Sequence, residues 1–173
     1  MKLLLKISFL TIIFISCNTK QKTTVVKGIQ WLSLSEVENK MKKNPKKILI
    51  DIYTDWCGPC KRMSKYTFTD PSVVEVVNKH FYAVKFNAES RQEITFLQNK
   101  FVNNGRTHDL AIQLGSTTSG LSYPTIVYFD EFFKKLQAVP GYYQAQEYIP
   151  VLKYIGEDHY KKMNFDSYSK SLN

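Results

Sequence analysis

Hydrophobic and polar residues along the chain predict helices and strands in alternation. A capping box at residues 33–36 begins a first predicted helix, whose apolar positions recur at helical spacing. Residues 46–53 then form a near-continuous apolar run that a single acid, Asp51, interrupts. Such a run is typical of a strand buried on both faces of a sheet.

The rest of the chain continues this alternation. A turn at residues 54–57 leads into a second predicted helix, in which Pro59 is tolerated because it lies in the first turn. The further predicted elements are a helix at 71–81, strands at 82–87, 126–129 and 134–139, and a helix at 145–155. Helices and strands in this order predict an α/β fold around a central sheet.

Residues 88–122 interrupt this simple pattern. Helical spacing of apolar residues predicts a helix at about 90–102, and a shorter helix is predicted at 109–114, with polar loops after each. The tail at 157–173 carries aromatic residues and is a candidate to dock back onto the domain.

Composition and charge exclude several classes of protein. With 173 residues, of which 43% are hydrophobic, the chain can build one packed domain with an appendage at either end. The net charge is +9, but the basic residues are spread as lysine pairs and form no long run. No nucleic-acid-binding motif is present, so we expect no nucleic-acid partner and a solvated basic surface close to an anionic membrane.

The first seventeen residues have the pattern of an export signal. Lys2 and Lys6 give the segment a positive start, and the apolar stretch that precedes Cys17 is too short to span a bilayer. This segment resembles the lipobox of bacterial lipoproteins, which implies a signal peptide at 1–16, a lipidated Cys17 and a polar tether at 17–28. An ordinary signal peptide with an incidental Cys17 is the alternative.

Two further cysteines form the clearest chemical motif. Cys57 and Cys60 are separated by two residues at the predicted start of a helix, where free backbone N–H groups and the helix dipole stabilise a thiolate. We expect Cys57 to be the more exposed sulfur and the nucleophile, and Cys60 to be the buried sulfur that resolves a mixed disulfide. Gly58 and Pro59 make the bend between them tight.

The segment 51–61, with its Trp-Cys-Gly-Pro-Cys-Lys stretch, resembles the active site of the thioredoxin family. The similarity extends over residues 30–156 and includes Tyr123-Pro124-Thr125, which resembles the cis-proline segment of the family. It implies a thioredoxin-like domain at 29–156, with a central mixed β-sheet flanked by helices. The stretch 88–122 then reads as an insertion before the cis-proline strand, as in exported thioredoxin-like proteins.

The resemblance also implies roles for residues outside the cysteine pair. Asp51 matches the buried carboxylate that deprotonates the resolving cysteine, and its apolar strand should raise its pKa. A purely structural acid paired with a lysine is the alternative. Lys85 matches the lysine near this acid, although a surface-facing lysine is nearly as well supported. Pro124 in cis would place the backbone of Tyr123 beside the sulfurs.

Two more positions are implied at the rim of the site. Trp56 is expected to shape substrate contact, with a structural tryptophan as the alternative. Gly141, followed by two tyrosines, lies where the family completes an apolar docking rim.

These features predict a thiol–disulfide oxidoreductase of the cell envelope that reduces substrate proteins through Cys57 and Cys60. The expected partners are protein disulfides and a membrane protein that supplies electrons. No metal and no cofactor other than the redox-active disulfide are expected, because two cysteines and three scattered histidines do not make a zinc site. A disulfide isomerase or oxidase, and a non-catalytic thioredoxin-fold binding module, remain as alternatives.

Overall fold

The computed structural model describes residues 28–172. The predicted signal segment, Cys17 and nearly all of the predicted tether lie outside these residues. Among the described helices, none combines the length and the apolar character that a membrane crossing would need.

A five-stranded mixed sheet forms the centre of the domain. Its strand order is β1-β3-β2-β6-β7, with β1, β3 and β2 parallel and with β6 and β7 antiparallel to their neighbours. The strands are β1 (Trp31–Leu32), β2 (Lys47–Tyr53), β3 (Phe81–Asn87), β6 (Thr125–Phe129) and β7 (Lys135–Pro140). The central position of β2 explains its apolar sequence, because both of its faces are covered.

Helices cover both faces of the sheet and divide the core in two. One apolar cluster lies under α1 (Leu34–Lys43) and α4 (Asp109–Gly115), and the other lies under α3 (Pro71–His80) and α5 (Ala145–Gly156). Alternate residues of β2 face the two clusters, with Ile48, Ile50 and Ile52 on the first side and Leu49 on the second. Asp51 therefore points to the same side as Leu49.

The α/β fold predicted from the sequence is confirmed. The first helix carries the predicted capping box, in which the Ser33 hydroxyl accepts from Glu36 N and Glu36 bonds the Ser33 backbone. The predicted four strands become five because β1, only two residues long, is too short to produce a periodic signal.

The helix predicted at 90–102 is wrong. These residues form a hairpin of β4 (Ile94–Phe96) and β5 (Asn99–Phe101), joined by Leu97 and Gln98 with φ of 51° and 65°. Glu38 accepts a hydrogen bond from Leu97 N at 2.8 Å, and the Phe96 ring packs edge-on against Phe129 of β6 and against Phe133 in the turn between β6 and β7. Tertiary contacts therefore stabilise a left-handed turn that the local sequence does not favour.

Buried side chains hold the insertion and the C-terminal tail in place. His108, fully buried, accepts from Leu110 N at the start of α4 and bonds the Gln92 carbonyl, so it ties both halves of the insertion together. The tail docks as expected, because Tyr168 of α6 (Phe165–Lys170) is buried against Tyr154 of α5. The insertion begins beside the carboxyl end of β2, because Ala88 N donates to the carbonyl of Tyr53 at 2.8 Å.

Candidate active site

The two cysteines lie where β2 ends and α2 (Gly58–Arg62) begins. Cys57 is the N-cap residue of α2, and its Sγ accepts a hydrogen bond from Cys60 N at 3.1 Å. Its own N–H donates to the carbonyl of Thr54 at 3.2 Å, which fixes the turn between strand and helix. Gly58 and Pro59 fill the first turn, and the two sulfurs form a disulfide of 2.07 Å.

The prediction that Cys57 is more exposed than Cys60 is wrong for this oxidised form. The exposed fractions of the two residues are 3% and 4%, so both cysteines are buried to the same degree. Joining the sulfurs removes accessible surface from each, and the turn at the end of β2 encloses Cys57. What reaches solvent beside the disulfide is the indole of Trp56, which is 66% exposed.

Trp56 is held in place although it is exposed. Its Nε1 donates to Glu89 Oε1 at 3.0 Å, and its ring meets Tyr123 edge-on with centroids 5.9 Å apart. With Arg106 and Thr107 of the insertion, these three side chains line a cleft of about 310 Å³. The insertion thus contributes one wall of the surface next to the disulfide.

The peptide bond between Tyr123 and Pro124 is cis. Its position is fixed from the neighbouring strand end, because Gly141 N donates to the Pro124 carbonyl at 2.8 Å. Gly141 has a φ of +107°, a backbone conformation that side-chain-bearing residues rarely adopt. Gly141 therefore supports the cis-proline segment through its backbone.

Asp51 and Lys85 form an ion pair in register across β2 and β3. Lys85 Nζ lies 3.2 Å from Asp51 Oδ2; the Asp51 residue is only 2% exposed, whereas the lysine side chain is 29% exposed. Burial raises the pKa of Asp51, and the nearby Lys85 ammonium opposes part of that rise. Asp51 thus has both the raised pKa and the lysine partner that were expected from the sequence.

A cavity of about 360 Å³ lies between the lysine of this pair and Cys60. It is lined by Thr54, Cys60, Ser64 and Lys85, among others. Within the described residues, Asp51 Oδ1 and the hydroxyl of Thr54 have no hydrogen-bond partner although both are buried. Buried polar atoms normally have partners, so these two oxygens keep unused hydrogen-bonding capacity.

Several residues of the site were not predicted from the sequence. Ser64 accepts from Lys85 Nζ at 2.6 Å, and Trp31 and Phe68 place their rings near the same ammonium. Ser64 lies four residues after Cys60, so helical spacing could have placed it on the same side as that cysteine. No local signal identifies Glu89, Trp31 or Phe68, because their contacts depend on the packing of separate elements.

The cysteine pair lies at a helix N-terminus, the tryptophan before it contacts the cis-proline segment, and a buried carboxyl lies on the preceding strand. On this mixed sheet, such an arrangement is typical of a thiol–disulfide oxidoreductase. Residues 34–156 match a family model described as a thioredoxin-like domain. The chain belongs to this thioredoxin-like family.

Individual relatives agree with that assignment. The thiol:disulfide interchange protein DsbD of Actinobacillus pleuropneumoniae is 32% identical over 120 residues, which are 68% of this chain and 18% of that protein. The chain thus spans less than a fifth of that relative. A thioredoxin-fold protein from Helicobacter pylori matches at 25% identity with a TM-score of 0.58, covering 75% of this chain and 81% of that chain.

A second solved structure is similar over most of its length. A putative disulphide-isomerase from Bacteroides thetaiotaomicron matches at 26% identity with a TM-score of 0.53. The match covers 74% of this chain and 93% of that chain.

The buried carboxyl generates a prediction for stability. A raised folded-state pKa means that protonated Asp51 favours the fold and that this contribution is lost as the pH rises above the ordinary value of 3.8, through the raised pKa. We expect Asp51→Asn to increase the free energy of unfolding at pH 8 by on the order of 1 kcal/mol, and by less at pH 5. Urea unfolding at the two pH values measures this difference.

Glu75→Gln provides the matched control, since Glu75 is exposed on α3. This control should change the free energy of unfolding by less than about 0.5 kcal/mol at either pH. An Asp51→Asn gain that is the same at pH 5 and pH 8, or a loss at pH 8, would contradict the assignment.

Proposed function

We propose that this protein reduces disulfides of proteins in the cell envelope through its Cys57/Cys60 dithiol. The observation that carries the proposal is the hydrogen bond from Cys60 N to Cys57 Sγ at the N-cap of α2. This position favours a thiolate on Cys57, because the helix N-terminus presents free N–H groups to the sulfur. The thiolate is the form that attacks a disulfide.

The reaction proceeds in two exchanges. The Cys57 thiolate attacks one sulfur of the substrate disulfide, a mixed disulfide forms, and the other substrate sulfur leaves and takes a proton from solvent. Asp51 then accepts the proton of Cys60, and the Cys60 thiolate attacks Cys57 Sγ and releases the second substrate sulfur. That sulfur takes a proton from solvent, and Asp51 returns its proton to solvent. The substrate gains two electrons and two protons, and Cys57 and Cys60 end as the disulfide.

The surroundings of the dithiol support a protein substrate. The cis Tyr123–Pro124 segment offers backbone groups beside the site, and the exposed indole of Trp56 offers an apolar contact. The two sulfurs hold the transferred electrons themselves, so the cycle requires no metal or organic cofactor. Because each turnover leaves a disulfide, a second dithiol protein must return two electrons.

The direction of transfer is inferred from the residues between the cysteines. Gly58 and Pro59 form the dipeptide of thioredoxin, whose potential is about −270 mV, while the strongly oxidising member with another dipeptide has about −120 mV. The relative called a thiol:disulfide interchange protein supports exchange with another protein. The electron donor is proposed to be a membrane protein, because the envelope lacks the reducing pool of the cytoplasm.

Disulfide isomerisation is the second candidate. It is favoured by the similarity to the putative disulphide-isomerase, at 26% identity. An isomerase uses the same attack by Cys57 but releases the substrate before Cys60 closes the ring. The reduction potential of the cysteine pair separates the two activities.

Removing either sulfur should separate the two exchange steps. In an insulin-reduction assay with the full chain in detergent, Cys57→Ser should lower the rate at least about a thousandfold, because no thiolate remains at the helix N-terminus. Cys60→Ser should accumulate a mixed disulfide with the substrate, visible as a mass increase. Cys17→Ser, the matched control, should reduce insulin at the unchanged rate. Equal rates for Cys57→Ser and the unsubstituted protein would instead favour a non-catalytic binding module.

The proposed membrane anchor depends on Cys17. We expect the mature protein to carry acyl chains on this cysteine, and Cys17→Ser to abolish the acylation. Membrane fractionation and intact-protein mass measure both effects. Unchanged mass and unchanged membrane attachment in Cys17→Ser would contradict the anchor and favour an ordinary signal peptide.

A further inference from the structure

The Lys85 ammonium has more partners than an ion pair requires. Its Nζ lies 2.6 Å from Ser64 Oγ and 3.2 Å from Asp51 Oδ2. The shorter hydrogen bond therefore goes to the neutral hydroxyl, and the longer contact goes to the charged carboxylate. Hydrogen bonds between ionised groups are normally the shorter ones, so this order needs a physical explanation.

Three aromatic rings surround the same ammonium. The centroids of Trp31, Tyr53 and Phe68 lie 5.3, 4.9 and 5.8 Å from Nζ, and we call these rings the aromatic cage. The negative faces of aromatic rings attract a cation, and together they replace part of its lost hydration. The cage and Ser64 thus share in stabilising the charge of Lys85, and the carboxylate of Asp51 is one of several partners.

Ser64 also links the lysine to the helix that carries the resolving cysteine. It lies in the π-helical turn Met63–Thr67 that continues α2, four residues after Cys60. Ser64, Cys60 and Lys85 line the same cavity of about 360 Å³. The position of the ammonium is therefore set from the cysteine side of the cavity as well as from β3.

We propose that Ser64 is a positioning residue that, together with the aromatic cage, keeps the contact of Lys85 with Asp51 at 3.2 Å instead of a shorter distance, and so keeps this carboxyl able to take the proton of Cys60. The inference rests on the proposed function in one respect, namely that Asp51 is the base for Cys60. It adds a residue that acts on the carboxyl only through Lys85.

Removing the hydroxyl of Ser64 should change the pKa of Asp51, because Lys85 keeps Asp51 as its acceptor. Without Ser64 Oγ, Asp51 Oδ2 is the one acceptor within reach of the ammonium among the residues described. The Lys85 ammonium then moves closer to the carboxylate of Asp51 and stabilises its ionised form. A closer opposite charge lowers the pKa of a carboxyl, so Asp51 becomes a weaker base.

Other titratable groups face this carboxyl and must be considered. They are Tyr53 on β2, Cys60 on α2, Tyr128 on β6 and Tyr148 on α5. Burial raises the pKa of all three tyrosines, so these hydroxyls stay neutral while Asp51 titrates. The charged groups on the rim of the cavity are Asp55, Lys61 and Lys65.

Titration of the Asp51 carboxyl carbon by NMR, in the reduced full chain, tests the proposal. Ser64→Ala should lower the pKa of Asp51 by about one unit relative to the unsubstituted protein. Ser64→Thr, which keeps the hydroxyl, should retain the original titration. The matched control Ser119→Ala changes an exposed loop serine and should also leave it unchanged.

A double-variant comparison identifies the route of the effect. In a Lys85→Met background, Ser64→Ala should no longer change the titration of Asp51, because the residue through which it acts is absent. An unchanged or raised pKa in Ser64→Ala, or a shift that persists in the Lys85→Met background, would overturn the proposal. Near-UV circular dichroism of each variant verifies that the fold is retained.

The rate of mixed-disulfide resolution separates this inference from the proposed function. At pH 7 we expect Ser64→Ala to slow resolution about two- to fivefold, because the base is weaker. A shifted titration with an unchanged rate would support the positioning role of Ser64 and contradict Asp51 as the base for Cys60. A protein that resolves no mixed disulfide would contradict the proposed function, while the titration would still decide the role of Ser64.

Discussion

The sulfur of Cys57 caps a helix, and the chemistry of the protein depends on this contact. An N-cap position is normally filled by an oxygen that accepts a backbone N–H, and here Cys57 Sγ accepts from Cys60 N instead. The same N–H stabilises a negative charge on the sulfur once the disulfide opens. The strand before it and the Gly58-Pro59 turn after it fix the direction of that helix, so the fold itself places the sulfur of Cys57 at the helix N-terminus.

The burial of Asp51 inside the sheet is a second constraint on the site. Asp51 is a buried acid on the central strand, so burial disfavours its ionised form, and the Lys85 ammonium offsets part of that effect. A carboxyl fully neutralised by Lys85 would be a poor base, and one without a partner would be costly to ionise. Because Lys85 also contacts Ser64 and the aromatic cage, its charge neutralises the carboxyl of Asp51 only in part.

Local sequence was sufficient to predict the parts of the molecule that have strong local signals. The capping box of α1, the apolar run of β2 and the cysteine motif at the start of α2 each depend on neighbouring residues, and the structure has all three. The family resemblance correctly placed Lys85 beside Asp51. The insertion was predicted less well, because its apolar spacing fits a helix while tertiary contacts of Phe96 and Leu97 stabilise a hairpin.

The burial of Cys57 and the partners of Lys85 were missed for a different reason. Both depend on which elements meet in space: the turn at the end of β2 encloses one sulfur, while β1 and the π-helical turn bring Trp31 and Ser64 to one ammonium. Sequence spacing within one element carries no information on such contacts. The positions of the cysteine pair and of Asp51 beside Lys85 were therefore predictable, and the groups packed around them were not.

The proposed function requires the Cys57/Cys60 dithiol to act as a reductant. The reduction potential of this couple is the measurement that tests the requirement. A helix N-terminus that stabilises the Cys57 thiolate too strongly would stabilise the reduced form and make the couple an oxidant. Equilibration with glutathione or with a thioredoxin of known potential, followed by alkylation and mass analysis, gives the value. A potential near about −270 mV is the predicted result, and a value above about −180 mV would contradict the account.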